Sequence, residues 1–148
     1  MIKHIYTFFI GVLLATFIGV GVAAFYEAPR QPDYPIGETT PEIMKQLEVN
    51  NRDYWNSTKI YARNVSIITL IFSVSILVVS LTLLSKLQLI SDGLLLGGLF
   101  TELYSIARGF ESQDNKFRFV VVTAGLITSL TIGYLKFIKN NQVVRRKV

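Results

Sequence analysis

Long apolar blocks limit the fold of this chain more than any other feature of its sequence. A helix needs roughly 20 consecutive apolar residues to cross the hydrocarbon core of a bilayer. Three blocks reach that length: residues 5–25, 65–84 and 119–138. The only charged residue inside them is Lys136, near the end of the third block. Of the chain's 148 residues, 51% are hydrophobic. Their concentration in blocks is typical of a membrane protein rather than a soluble domain.

A fourth block, residues 87–110, is equally long but contains Asp92, Glu102 and Arg108. Its assignment depends on the basic residues, which are enriched on the cytoplasmic side of membrane proteins. If all four blocks cross, one side receives basic residues and no acidic one: Lys3, Lys86, Lys139, Arg145, Arg146 and Lys147. We therefore predict an all-α membrane protein, a bundle of four transmembrane helices with both termini in the cytoplasm.

This topology divides the chain into four parts. Residues 1–25 form span 1, whose apolar stretch is longer than that of a cleaved signal peptide, so we expect it to be retained. The remaining parts follow in chain order: an extracytoplasmic arm at 26–64, spans 2 to 4 within 65–138 (65–84, 87–110 and 119–138), and a basic cytoplasmic tail at 139–148.

Little in the sequence supports cofactor or enzyme chemistry. The chain has no cysteine and a single histidine, His4, which leaves almost no material for metal sites or nucleophilic triads. Phosphate-binding, dinucleotide-binding and zinc-protease motifs are absent as well. We therefore expect no cofactor, no metal and no catalytic residue. The basic tail is the ordinary end of a membrane span, so we expect no nucleic-acid partner.

Small residues recur at every fourth position of three spans. Helices in lipid associate through close backbone approach and hydrogen bonds, so small residues indicate where spans pack. A ladder of five positions on span 3 drifts around the helix by about 40° per step and so faces more than one neighbouring helix. We therefore predict that span 3 is the central helix. The predicted packing positions are Gly11, Ala15, Gly19 and Ala23 in span 1, Gly93, Gly97, Thr101, Ser105 and Gly109 in span 3, and Gly125, Ser129 and Gly133 in span 4. Span 2 instead places serines seven residues apart, at Ser66, Ser73 and Ser80.

Charged residues inside the spans are the candidate functional positions, because an unpaired ion in hydrocarbon costs several kcal/mol. Asp92 and Lys136 lie at approximately matching depth in spans 3 and 4, so we expect them either to pair or to be neutralised. Arg108 is expected to pair with Glu111, three residues further along the same helix.

Glu102 lies about 10 Å below the outer end of span 3 and is expected to face protein. One interpretation is structural pairing with a basic residue at the mouth of span 2 or span 4, and the other is proton or ion handling. The partners that we expect are Arg63 and Arg118 for an ionised carboxylate, or the hydroxyls of Tyr104, Ser66 and Thr123 for a protonated one.

The arm combines a proline-rich strand with a helix. Pro29, Pro32 and Pro35 are three residues apart, which places them on one edge of a polyproline II helix. Thr40 is a candidate N-cap and Pro41 occupies the favoured first helical position. An apolar stripe then continues into span 2 without a helix breaker, which predicts one continuous helix.

The two halves of the arm have similar predicted lengths. Residues 26–36 as polyproline II and residues 41–63 as a helix each cover about 34 Å. We therefore expect the proline edge to lie along the helix, on the flat faces of Tyr54, Trp55 and Tyr61. The alternative is a flexible loop with no fixed path.

Three segments resemble small uncharacterised four-span membrane proteins found in bacterial genomes: AFYEAPRQPDYP, SDGLLLGGLFTELYSIARGF and FRFVVVTAGL. The likeness covers most of the chain. No activity is assigned to that family, so the resemblance implies the bacterial cytoplasmic membrane as the location and no mechanism.

These observations favour a non-enzymatic structural or interaction subunit that uses its arm. The expected partners are the lipid bilayer and another membrane or extracytoplasmic protein, or a second copy of the chain. The alternative is a small proton-coupled transporter or channel that uses Glu102 and Asp92.

Overall fold

A computed structural model of the chain describes residues 1–33, 37, 40–83 and 87–139. Within these residues the secondary structure is entirely helical, with α1 at Ile2–Phe25, α2 at Pro41–Leu83, α3 at Gln88–Glu111 and α4 at Asn115–Gly133, which a π-helical turn at Tyr134–Lys139 continues. Four helices are long and apolar enough to cross a membrane. The prediction of an all-α fold with four candidate spans is therefore confirmed. Pro35, Lys86 and the tail beyond Lys139 lie outside the described residues.

Helix α2 is the longest element and contains no break. Its first turn is capped by Thr40, whose hydroxyl accepts a hydrogen bond from the backbone N–H of Ile43 at 3.5 Å. From Pro41 it continues for 43 residues, about 65 Å at 1.5 Å per residue. That is about twice the thickness of a hydrocarbon core. The prediction of one continuous helix from Pro41 into the second apolar block is confirmed.

Helices α3 and α4 form a hairpin with a tight connection. Asp114 caps α4 by accepting hydrogen bonds from the backbone N–H groups of Lys116 at 2.9 Å and Phe117 at 3.2 Å. Because this cap, and not the first apolar residue, begins the helix, α4 starts before the apolar block that begins at Phe119.

Helix α3 occupies the centre of the bundle, as its ladder of small residues predicts. It contacts all three other helices, whereas α1 makes few contacts with α2. The glycines of α1 and α3 permit the closest approaches. An added Cβ would lie 3.1 Å from Leu96 at Gly11 and 2.7 Å from Leu14 at Gly97. At Gly93 it would lie 2.7 Å from a side-chain carbon of Ile10.

At other positions of the small-residue ladders no neighbouring helix approaches as closely. Ala23 is exposed, and an added Cβ at Gly133 would meet no atom within 4 Å. At Gly19 the nearest atom would belong to Tyr104 at 4.0 Å. Ala15 is half-buried. The small residues of α1 therefore pack closely on α3 at Gly11, and the separation of the two helices increases toward the end of α1.

Candidate functional site on the central helix

Serine hydroxyls join α2 to α3 along the whole length of their contact. Ser66 and Ser105 each donate to the other's backbone carbonyl, at 2.8 and 2.7 Å. Ser80 and Ser91 do the same at 2.7 Å in both directions. Midway between them, the hydroxyl of Ser73 donates to the carbonyl of Gly98 at 2.9 Å. We call this set of contacts the serine seam.

The seam has the same spacing on both helices. Ser66, Ser73 and Ser80 are seven residues apart on α2, and Ser91, Gly98 and Ser105 are seven apart on antiparallel α3. A seven-residue repeat keeps one face of each helix toward its partner. The series on α2 was recognised from the sequence. The matching series on α3 was not, although the same seven-residue interval is present there.

Asp92 and Lys136 form an ion pair between α3 and α4, which is one of the two outcomes expected for them. The ammonium nitrogen of Lys136 lies 2.5 Å from a carboxylate oxygen of Asp92, and the two side chains are 10% and 38% exposed. Lys136 belongs to the π-helical turn at Tyr134–Lys139, in which the wider helix changes the direction of its side chains. The pair fixes the far end of α4 to α3.

Arg108 pairs within its own helix, also as expected. One of its guanidinium nitrogens lies 2.7 Å from a carboxylate oxygen of Glu111. Its Nε donates to the hydroxyl of Tyr104 at 3.1 Å. The charge is thus satisfied near the end of α3, and Arg108 does not reach into the bundle.

Glu102 is the buried carboxyl of the bundle and lies between α3 and α4. The residue is 3% exposed. Its Oε2 accepts a hydrogen bond from the hydroxyl of Ser129 at 3.0 Å, while Oε1 is buried without a hydrogen-bond partner. Oε1 is turned toward the backbone of Gly125, where an added Cβ would lie 3.0 Å from it.

The partners predicted for Glu102 were wrong. Arg63 places its guanidinium carbon 5.2 Å from the ring centroid of Phe117, and Arg118 donates to the carbonyl of Phe110 at 2.7 Å. The nearby hydroxyls are also engaged elsewhere, since Ser66 belongs to the serine seam and Tyr104 accepts from Arg108. The register of α3 against α4 places Ser129, one of the predicted packing positions, opposite the carboxyl instead.

A groove of about 410 Å³ runs along the α3–α4 contact beside Glu102. Apart from the carboxyl and the Ser129 hydroxyl its walls are apolar, formed by Leu99, Leu103, Ile106, Val122, Gly125 and Leu126. A lone carboxyl in such a setting can hold or exchange a proton. Among the described residues no group of three or more potential metal ligands occurs.

Tyr26 connects the end of α1 to α2. Its ring stacks on that of Tyr61 with centroids 5.2 Å apart and planes at 8°, and its hydroxyl accepts from the side chain of Asn64 at 2.7 Å. Pro29 and Pro32 are half-buried. Trp55 is 53% exposed, and its ring lies edge-on to Tyr54 at 5.8 Å. Stacking on Tyr61 therefore comes from Tyr26, a residue that the sequence analysis did not select.

No known protein family, curated protein or solved structure matches this chain.

Proposed function

We propose that this chain is an integral protein of the bacterial cytoplasmic membrane and acts as a non-enzymatic structural or interaction subunit. The observation that supports it is the unbroken α2. Its 43 residues cover about 65 Å, more than the roughly 40–45 Å of a whole bilayer. The serine seam holds the second half of the helix in the bundle. A helix anchored in this way carries its free half as a rigid arm. The basic residues on one side favour an arm on the outer side, with both termini in the cytoplasm.

The arm offers a surface for a protein partner. Residues 41–64 extend for about 36 Å as a helix, and large apolar side chains are exposed along them: Met44, Val49, Trp55 and Ile60. Met44 and Trp55 are eleven residues apart, which places them within about 20° of each other around the helix. Exposed apolar side chains that share a face are typical of interaction sites.

Site-directed photo-cross-linking in intact cells tests this proposal. A photoreactive residue at position 44 or 55 should give the same discrete adduct, either with another protein or with a second copy of the chain. Asn50, exposed and at least about 80° around the helix from each of these four apolar side chains, is the matched control and should give none. Equal adducts at all three positions, or none at Met44 and Trp55, would reject the arm as a binding surface.

The proposed topology has its own test, because the natural chain contains no cysteine. A single cysteine at Ser57, exposed on the arm, should react with a membrane-impermeant maleimide in intact cells. A single cysteine at Gln142 in the tail should react only after the membrane is opened. The reverse order of labelling would invert the orientation.

A second candidate function is proton handling at Glu102, which its unpartnered Oε1 favours. Purified protein in liposomes would then carry a proton flux that Glu102→Gln abolishes. Glu111→Gln, which removes an exposed carboxylate outside the groove, is the control and should leave the flux unchanged. Flux no greater than that of empty liposomes would support the structural role.

A further inference from the structure

A second groove, of about 430 Å³, lies between α2 and α4 at the end of the bundle where α4 begins. We infer that this groove, which we call the α2–α4 crevice, binds a singly anionic phospholipid: Arg63 and Lys116 hold the phosphate, and an acyl chain lies along the apolar walls below. The inference rests on the proposed membrane location. The residues that line the crevice are Arg63, Ile67, Leu70, Asp114, Lys116, Phe117, Val120 and Val121.

The order of polar and apolar residues in the crevice matches that of a phospholipid. Both α2 and α4 run antiparallel to α3, so they are parallel to each other. For α2 the contacts Ser66–Ser105 and Ser80–Ser91 show the direction, and for α4 the contacts are Glu102–Ser129 and Asp92–Lys136. Each wall therefore begins with charged residues and becomes apolar in the same direction. The distance along α2 from Arg63 to Leu70 is about 10 Å, which is long enough for the apolar wall to contact the first part of an acyl chain.

The charges in the crevice favour a ligand with one negative charge. Within the described residues, the side chains of Arg63 and Lys116 make no ion pair and no hydrogen bond. Asp114 supplies one negative charge, held by the backbone amides that it caps. The three side chains thus sum to one positive charge, which a phosphodiester with an uncharged headgroup neutralises.

The guanidinium of Arg63 is already positioned for such a contact. It lies 5.2 Å from the centroid of the Phe117 ring, which holds it at the mouth of the crevice. Arginine can contact an aromatic ring while its N–H donors remain available, and the planar fork of those donors matches a phosphate. Lys116 on the opposite wall is exposed and adds a flexible second cation.

Native mass spectrometry of the full chain in mild detergent tests the inference, with phosphatidylglycerol and phosphatidylcholine of identical acyl chains as probes. We expect preferential retention of phosphatidylglycerol. Arg63→Gln and Lys116→Gln should each weaken it about fivefold, as expected for one basic residue at an anionic headgroup. The exposed side chain of Lys116 makes no hydrogen bond or ion pair within the described residues, so its variant should fold normally.

Two further variants separate the crevice from general surface charge. Arg52→Gln removes a cation eleven residues before Arg63 on the same face of α2 and should leave retention unchanged. Val120→Trp keeps both cations but fills the apolar wall at a residue that is 61% exposed, so it should weaken retention.

Several results would overturn the inference. They are unchanged retention in the Arg63→Gln/Lys116→Gln double variant, equal retention of phosphatidylcholine, and displacement of the lipid by inorganic phosphate or by an acidic peptide. Failure of the membrane assignment would show separately, as release of the chain from membranes by alkaline carbonate.

Discussion

At the scale of single residues, Glu102 and the glycines of α3 set the spacing between helices. Glu102 reaches α4 through one hydrogen bond to Ser129 and turns its other oxygen against Gly125. A carboxylate with a buried, unpartnered oxygen costs several kcal/mol when it is charged. The arrangement therefore fits an uncharged side chain, for which glutamine is a close substitute.

We expect Glu102→Gln to change the free energy of unfolding by no more than about 1 kcal/mol, since the amide keeps the shape and can keep the Ser129 contact. A double-mutant cycle that combines Ser129→Ala with Glu102→Ala, which removes the acceptor, should give a coupling of about 0.6 kcal/mol, the usual size for an interhelical hydrogen bond in a membrane. Unfolding in mixed micelles measures both values. Coupling to Arg63 or Arg118 instead would show an ion pair and contradict the structure.

Gly98 is the residue whose enlargement should cost most in the α2–α3 contact. An added Cβ would lie 2.7 Å from both Cγ and Cδ2 of Leu77, and Leu77 is fully buried, so it has no room to yield. We expect Gly98→Ala to destabilise the protein by roughly 1–3 kcal/mol. Gly133→Ala, at an open position, is the matched control. Equal stability of the two variants in the same unfolding assay would mean that α2 and α3 are further apart at Gly98 than the structure shows.

The position of Glu102 relative to α4 could have been predicted from the sequence. Pairing of Asp92 with Lys136 was one of two outcomes expected from their matching depth, and that pair helps to set the antiparallel register of α3 and α4. Ten residues along α3, this register places Glu102 opposite the region of Ser129. The prediction failed because charge complementarity was given priority over register, although Arg63 and Arg118 both lie toward the end of the bundle where α4 begins.

At the scale of elements, the serine seam makes α2 and α3 a single unit. Its hydroxyls donate to backbone carbonyls, so each hydrogen bond requires a serine on one helix and close approach of the backbone of the other. Sliding one helix by a turn would bring bulky residues to the seam positions and break every hydrogen bond. The seam thus fixes the register of the hairpin.

Replacing Ser66, Ser73 and Ser80 together by alanine should lower the free energy of unfolding by about 2 kcal/mol, at roughly 0.6 kcal/mol for each interhelical hydrogen bond. Ser75→Ala is the control on the same helix, because that exposed hydroxyl donates to its own helix at Ile71. A triple variant as stable as the control would show that the seam contributes packing only.

Helix boundaries were the weaker part of the prediction. Hydropathy locates apolar blocks, whereas helices begin at caps outside those blocks. The cap at Thr40 was predicted and the one at Asp114 was not. The π-helical turn at Tyr134–Lys139 has no evident sequence signal, since it depends on where Lys136 meets Asp92 in three dimensions.

At the scale of the whole molecule, one aromatic contact joins the end of α1 to the base of the arm. Tyr26 stacks on Tyr61 and accepts a hydrogen bond from Asn64, so the chain leaves α1 along the surface of α2. Pro29 and Pro32 follow and are half-buried. The path of the described part of the connection is therefore anchored at its first residue.

Limited trypsin digestion measures how firmly this connection is held. Tyr26→Ala should speed cleavage at the exposed Arg30 by up to about tenfold, since an aromatic pair contributes about 0.5–1.5 kcal/mol. Trp55→Ala, at a ring outside this contact, should leave the rate unchanged. The opposite ranking of the two variants would place the anchor at Trp55.

The central position of α3 also has a consequence for biosynthesis. Helices α1 and α2 leave the ribosome first, yet they contact each other little and both use α3 as their main neighbour. Until α3 is synthesised, the glycines of α1 and the serines of α2 lack their main partner surface. In the proposed membrane location, a nascent chain therefore passes through a stage with two inserted but unassembled helices. Membrane factors that protect exposed polar helix faces during synthesis would act at that stage.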